Sequence, residues 1–209
     1  MSLVFKVQWF RFGGWRCSPL NAALVCYKES GSIEEDMKVD IRPAKEDELE
    51  PLHSLVISND EWMKFNGPYF PYSHPTLEQF ESSSFQRLLA GSDLQLITVD
   101  DIPVGTVSCY WECEETRWLE AGVVIYDAQY WGKGIAALAL PLWVSYLFET
   151  KEIERVGLTT WSGNPRMMSL ALKLGFQQEA RLRKVRYYNG EYYDSVKYGV
   201  LRSEWSERN

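Results

Sequence analysis

One carboxylate, one glycine-rich loop, one helix-capping amide and one hydroxyl in this 209-residue chain have the types and spacing to do chemistry. The loop is Gln129-Tyr130-Trp131-Gly132-Lys133-Gly134, followed by Ile135, Ala136 and an apolar run through Leu138, Leu142, Val144 and Leu147. Glycine lets a backbone turn sharply and come close to a ligand. The apolar spacing predicts an amphipathic helix, whose first amides have no intrahelical partner. Those amides carry roughly half a positive charge, which makes the loop an anion site and above all a phosphate site. Glu120, just upstream, is a carboxylate on the strand that leads into the loop. Asn164 stands at the head of a second helix, and Ser169 is the hydroxyl on it.

Three phosphate-loop patterns compete. A Walker loop requires glycine where Asp127 stands and serine or threonine where Gly134 stands, so it fails. Gly132-x-Gly134-x-x-Ala137 fits a loose dinucleotide fingerprint. That fingerprint needs an acid at the end of the next strand, which reads Leu158-Thr159-Thr160-Trp161 and has none. Gln129-x-x-Gly132-x-Gly134 remains, against the plain alternative of an ordinary strand-to-helix turn.

These groups need elements to hold them. Val123-Val124-Ile125 is a β-branched run, expected as the end of a buried strand over 118–125. Val39 and Ile41 alternate with Asp40 and Arg42 as a strand, and residues 44–58 have helical spacing. Residues 59–75 carry Trp62, Phe65, Tyr69, Phe70 and Tyr72 with Gly and Pro, the pattern of a packed lid or a pocket wall. A helix over 75–89 is expected, capped by Ser73 or Thr76. Strands at 94–98 and 103–111 flank a turn at Asp100-Asp101, and another strand covers 153–161. Asn164-Pro165 opens a helix that ends at Leu174-Gly175-Phe176. Asn189-Gly190 joins a terminal hairpin. Cys109 and Cys113, four apart on one strand, are expected to share a face. Residues 1–36 differ in character and read as an amino-terminal extension, or as an added strand or arm. Residues 37–209 read as one domain.

The totals exclude some functions. An apolar fraction of 45% and nine Trp can fill a sizeable core. A net charge of −7 argues against a nucleic-acid-binding face. With His53 and His74 as the two histidines, no His-rich metal site is expected, and no Gly-x-Ser-x-Gly elbow is present. The cysteines form no Cys-x-x-Cys pair, and no run reaches the roughly 20 apolar residues of a membrane span. A cytoplasmic protein with free thiols, contacting neither membrane nor nucleic acid, is the simplest expectation.

The order of elements, the Gln129-Gly132-Gly134 loop, the Asn164-to-Phe176 block and the Asn189-Gly190-x-Tyr192-x-Asp194 ending together resemble a complete GNAT N-acetyltransferase domain from about residue 38 to 205. Within that superfamily they look most like the branch of ribosomal-protein alanine and spermidine acetyltransferases. The resemblance implies an α/β fold with a mixed, mostly antiparallel sheet flanked by helices. It implies acetyl-CoA as cosubstrate and a primary amine on a small molecule, polyamine or protein N-terminus as acceptor. The backbone from Gln129 through Tyr130, Trp131, Gly132, Lys133, Gly134 and Ile135 to Ala136 would hold the pyrophosphate. Val123, Val124 and Ile125 would pair with the pantetheine arm, and Asn164 would reach its amides or serve as a helix cap alone. Glu120 would be the base, Val123 or Val124 N–H the oxyanion donor, and Ser169 the acid where many relatives carry a tyrosine. Metal has no part in it, and a homodimer through the last hairpin or the amino-terminal arm is compatible. The alternative is an acyl-CoA-binding sensor that has lost catalysis.

Overall fold

The computed structural model describes residues 37–207 and, upstream, the backbone of three strands: Phe10–Phe12 (β1), Trp15–Leu20 (β2) and Ala23–Lys28 (β3). These pair antiparallel in the order β1-β2-β3. The chain divides into two compact units, Met1–Met37 and Lys38–Asn209. The remaining features expected of residues 1–36 lie outside the described residues.

The larger unit is built on seven strands: Val39–Arg42 (β4), Leu94–Val99 (β5), Ile102–Cys113 (β6), Trp118–Ile125 (β7), Arg155–Trp161 (β8), Gln177–Tyr188 (β9) and Glu191–Leu201 (β10). Their order is β4-β5-β6-β7-β8-β10-β9. Every neighbouring pair is antiparallel except β7 and β8. Parallel strands need a long crossover, here the helix Ile135–Thr150. The other helices are Leu49–Ile57 (α1), Leu77–Phe80 (α2), Gln86–Ala90 (α3), Pro165–Lys173 (α5) and Arg202–Ser206 (α6), so the crossover is α4.

Local chemistry sets the corners. Asp100 and Asp101 both have positive φ, as do Asn189 and Gly190, so each pair makes a two-residue hairpin turn. The Thr76 hydroxyl accepts the Gln79 amide as a helix cap, and Gly175 takes the left-handed position after α5. The single helix expected over 75–89 is divided by a π-helical turn, Glu81–Phe85. There Ser82 and Ser83 hydroxyls donate to the Glu78 and Gln79 carbonyls and compete with the regular ladder. The strand expected from Ile153 begins at Arg155, where the ladder to β10 ends; the Ile153 amide donates to the Lys151 carbonyl and its carbonyl accepts Arg202 Nε.

The sheet packs on both faces. On one, Leu140, Trp143 and Leu147 of α4 are fully buried with Val104, Leu119 and Leu158. On the other, Leu52, Phe80, Phe85 and Leu88 cover Leu94 and Leu96 of β5. The pleat of β5 sends alternate residues to the two clusters. Cys109 lies in the first core, where burial pushes its thiol up to about 11. A register shift between Trp111 and Cys113 interrupts the strand between the two cysteines, and Cys113 donates to Glu115 at the surface.

Candidate active site

The site starts where two strands part. β7 and β8 pair only at Leu119–Val156, Glu120–Gly157 and Ala121–Leu158. Beyond Ala121 the gap opens into a cleft of about 730 Å³, lined by Val123, Val124 and Ile125 on one side and Leu158, Thr159 and Thr160 on the other. On its far flank β7 remains paired with β6, and the Tyr126 amide donates to the Val104 carbonyl at 3.0 Å. Strand alternation then turns the main-chain groups of Val124 to β6 and those of Val123 and Ile125 into the gap. The Ile125 carbonyl is taken by Trp131 Nε1 at 2.9 Å. Val123 N–H and C=O and Ile125 N–H are therefore the strand groups facing the cleft. The Val124 main chain belongs to the β6 ladder, while the residue still lines the cleft.

The cleft runs from the fork to the glycine loop. Gly132 and Gly134 have φ of +75° and +81°, and a Cβ on either would meet only open space. The positive φ, not crowding, is what calls for glycine there. The first helical bonds are those of Ala137 and Leu138 to the Gly134 carbonyl, so the amides of residues 132–136 precede the ladder. The upstream half of the loop is spent internally. The Gln129 amide and side chain both donate to Asp127, while the Tyr130 and Trp131 amides donate to the Asp127 and Ala128 carbonyls. Of the expected loop residues, Tyr130, Trp131, Gly132, Gly134, Ile135 and Ala136 line the cleft. Gln129 and Lys133 do not, and Lys133 Nζ lies over the Tyr130 ring at 5.4 Å.

Glu120 lies at the crotch of the fork and is fully buried. Leu119 and Ala121, which suggest an apolar setting, point to the opposite face of the strand. The carboxylate instead accepts Trp118 Nε1 at 3.0 Å, Arg155 Nη1 at 3.3 Å and the Thr159 hydroxyl at 2.8 Å. Arg155 continues the row to the Tyr198 carbonyl and to Glu179. Room for this row comes from Gly157 and Gly199, neighbours in register, since a Cβ on either would overlap Glu120 or Glu179. Glu120 is not among the cleft-lining residues, whereas its partner Thr159 is.

Asn164 caps α5 by accepting the Met167 amide at 3.0 Å, and its Nδ2 donates to the Phe65 carbonyl at 3.1 Å. Both ends of the amide expected to reach the pantetheine arm are thus engaged within the protein. The same Phe65 carbonyl accepts Trp161 Nε1, and the Phe65 ring meets Trp131 edge-on at 5.4 Å. These bonds dock the aromatic segment 59–75 on the cleft, where Trp62, Phe65 and Asn66 form a wall. Ser169 lies on the cleft face of α5. Asp194 accepts the Lys184 amide and Arg181 Nε, which hold its carboxyl below the usual range and lock the bulge between β9 and β10.

A second cavity of about 410 Å³ lies against α1, α3 and β6 and shares Trp62, Asn66 and Val124 with the cleft. Neither the cavity nor the fork row could be foreseen in detail. Glycines inside strands at 157 and 199 were the available sign, since a strand glycine marks a close approach.

A sheet splayed between parallel strands, with a glycine loop at its open end, defines the acyl-CoA N-acyltransferase architecture. The chain belongs to the GNAT acetyltransferases: residues 38–177 match the family described as acetyltransferase (GNAT) domain. Its activity is acetyl-CoA-dependent acetyl transfer. The chain is 28% identical over 174 residues to YdaF of Bacillus subtilis (strain 168), named provisionally as a ribosomal N-acetyltransferase. That match covers 80% of this chain and 93% of the relative. The ribosomal-protein-serine acetyltransferase of Escherichia coli (strain K12) is 22% identical, covering 78% and 92%. The spermidine N-acetyltransferase of Vibrio cholerae, solved with CoA and spermine, superposes with a TM-score of 0.67 at 19% identity, covering 80% of this chain and 98% of its own.

Proposed function

We propose that acetyl-CoA lies in the cleft with its pyrophosphate on the amides of residues 132–136, and that a primary amine reaches the thioester from the second cavity. The observation that carries this reading is the fork. It leaves Val123 and Ile125 with unpaired main-chain groups, onto which the pantetheine arm adds as a strand would. The amine nitrogen bonds to the thioester carbon, a tetrahedral oxyanion forms, and the C–S bond then breaks. Val123 N–H is the donor at the oxyanion. Ser169 is the hydroxyl through which the departing thiolate takes a proton, the serine regaining one from solvent as it gives its own. The amine loses one proton on attack, and among the described residues no carboxylate lines either cavity. The nucleophile is therefore the neutral fraction of the amine, its proton passing to solvent.

In this reading Glu120 positions the site. It ties β7 to Thr159 and Arg155 of β8 one residue before the last paired register, Ala121–Leu158, so the strands part at a fixed point. The test is Gly134→Asp. A non-glycine residue is strained at φ +81°, and its carboxylate faces the pyrophosphate. Calorimetric CoA affinity should fall at least about 100-fold with the fold retained. Undiminished CoA binding would refute the loop assignment.

A further inference from the structure

We infer that the acceptor is a primary amine carried on a compact, uncharged, largely apolar body, an arylalkylamine rather than a polyamine or a peptide. This rests on the reading that the second cavity is the acceptor side. The walls are Leu52, Val56, Phe80 and Leu88 from the helices, with the Tyr72 and Tyr126 rings. Two of these rings, Tyr72 and Tyr126, meet Trp62 edge-on at 5.2 Å each, so the end nearest the cleft is an aromatic box. The Tyr126 hydroxyl is satisfied by Thr106 at 3.1 Å. Burial pushes the Tyr126 and Tyr72 hydroxyls upward, so both remain neutral near pH 7.

The charge inventory decides between acceptors. Among the described residues the cavity lining holds no Asp, Glu, Lys or His, and Arg87 is its one charged side chain. Arg87 Nε donates to Asp93, which lies outside the lining, at 3.1 Å. A polyamine losing one charge to reaction keeps at least one more ammonium. In the lining that ammonium finds no carboxylate and one cation, the acids nearest it besides Asp93 being Asp60 beside Tyr72 and Glu112 and Glu120 beside Tyr110, and an unpaired charge is expensive to bury. An aryl ring on a short alkyl arm has no such charge, and edge-to-face contacts with the box favour it. A cavity of about 410 Å³ admits a ligand of small-molecule size but only the first residue of a peptide.

The experiment is thiol release from acetyl-CoA by the full-length protein with 2-phenylethylamine, tryptamine, spermidine and an octapeptide with a free N-terminal serine. CoA affinity is measured alongside. The arylalkylamines should exceed spermidine and the peptide in kcat/KM by at least about 100-fold. Ser84→Asp, which places a carboxylate in the lining, should raise kcat/KM for spermidine at least about tenfold and lower it for tryptamine, with CoA affinity unchanged. Spermidine or the peptide equalling the arylalkylamines would overturn the inference and leave the acetyltransferase reading intact. So would turnover of none of the four by protein that binds CoA. Absence of CoA binding would overturn the cleft assignment, and the inference with it.

Discussion

Glu120→Gln separates a carboxylate that holds the fork from one that takes the proton. Glutamine keeps the shape. Its carbonyl oxygen can stand at the Oε1 position and still accept Trp118 Nε1 and Arg155 Nη1. Its amide then faces the Thr159 hydroxyl, which turns to accept, as it already does from Lys197 Nζ at 3.2 Å. Arg155 is not stranded, because Glu179 remains. What is lost is the charge assistance of about two hydrogen bonds, roughly 1 kcal/mol each. The expected destabilisation is about 2 kcal/mol, or about 4–8 °C in Tm for a domain of this size. Since the fork keeps its bonds, kcat should fall less than about tenfold. Loss of a direct general base costs 10²–10⁴-fold. The assay is kcat/KM against pH for both proteins with one amine. If the neutral amine is the nucleophile, both profiles rise with unit slope towards the amine's own pKa and run parallel. A thousandfold loss of kcat at an unchanged Tm, or loss of the slope in the variant alone, would refute the positioning role and restore Glu120 as the base.

Gly157→Ala should lower stability by about 2–3 kcal/mol, because its Cβ would overlap the buried Glu120 carboxylate. Combined with Glu120→Ala, the loss should be less than the sum of the two, read by thermal denaturation of the double-mutant cycle. Arg202 donates to the Phe148, Lys151 and Ile153 carbonyls at 2.7, 2.9 and 2.9 Å, closing the carboxyl end of α4. Arg202→Ala should cost about 2–3 kcal/mol in urea unfolding while CoA affinity stays within about twofold. Glu48 is held below its ordinary value of 4.5 by its bidentate bonds to Arg42, and also by the Lys45 amide. A depressed carboxyl stabilises above its unfolded value and loses that contribution as pH falls through the folded one. Glu48→Gln should therefore cost about 1–2 kcal/mol at pH 7, and the difference from the native protein should close as urea unfolding is repeated below pH 4.5.

The strand, loop and helix around residues 123–136 were legible because each step is a local decision. β-branched residues choose extended backbone, two glycines choose positive φ, and the apolar run after them chooses the helix, although Leu138 and Leu142 of the expected stripe are exposed and Leu140 and Trp143 are buried instead. The hairpins at Asp100-Asp101 and Asn189-Gly190 were legible for the same reason. Glu120 shows where that legibility ends. Its sequence neighbours are apolar, yet a strand sends neighbours to the other face, and beyond Trp118 the partners that define its surroundings, Arg155 and Thr159, lie 35 and 39 positions away. Val124 shows the same limit at the level of the main chain. Three valine and isoleucine amides look equivalent in sequence, but the β6 register commits one and frees its neighbours. Asn164 was legible as a cap, because capping is local, while its second bond to Phe65 spans 99 positions. Gly157 and Gly199 carried the missing information. A strand glycine flanked by residues that would otherwise pack is a request for space, and pairing the two in register across β8 and β10 points to the buried row before any side chain is placed.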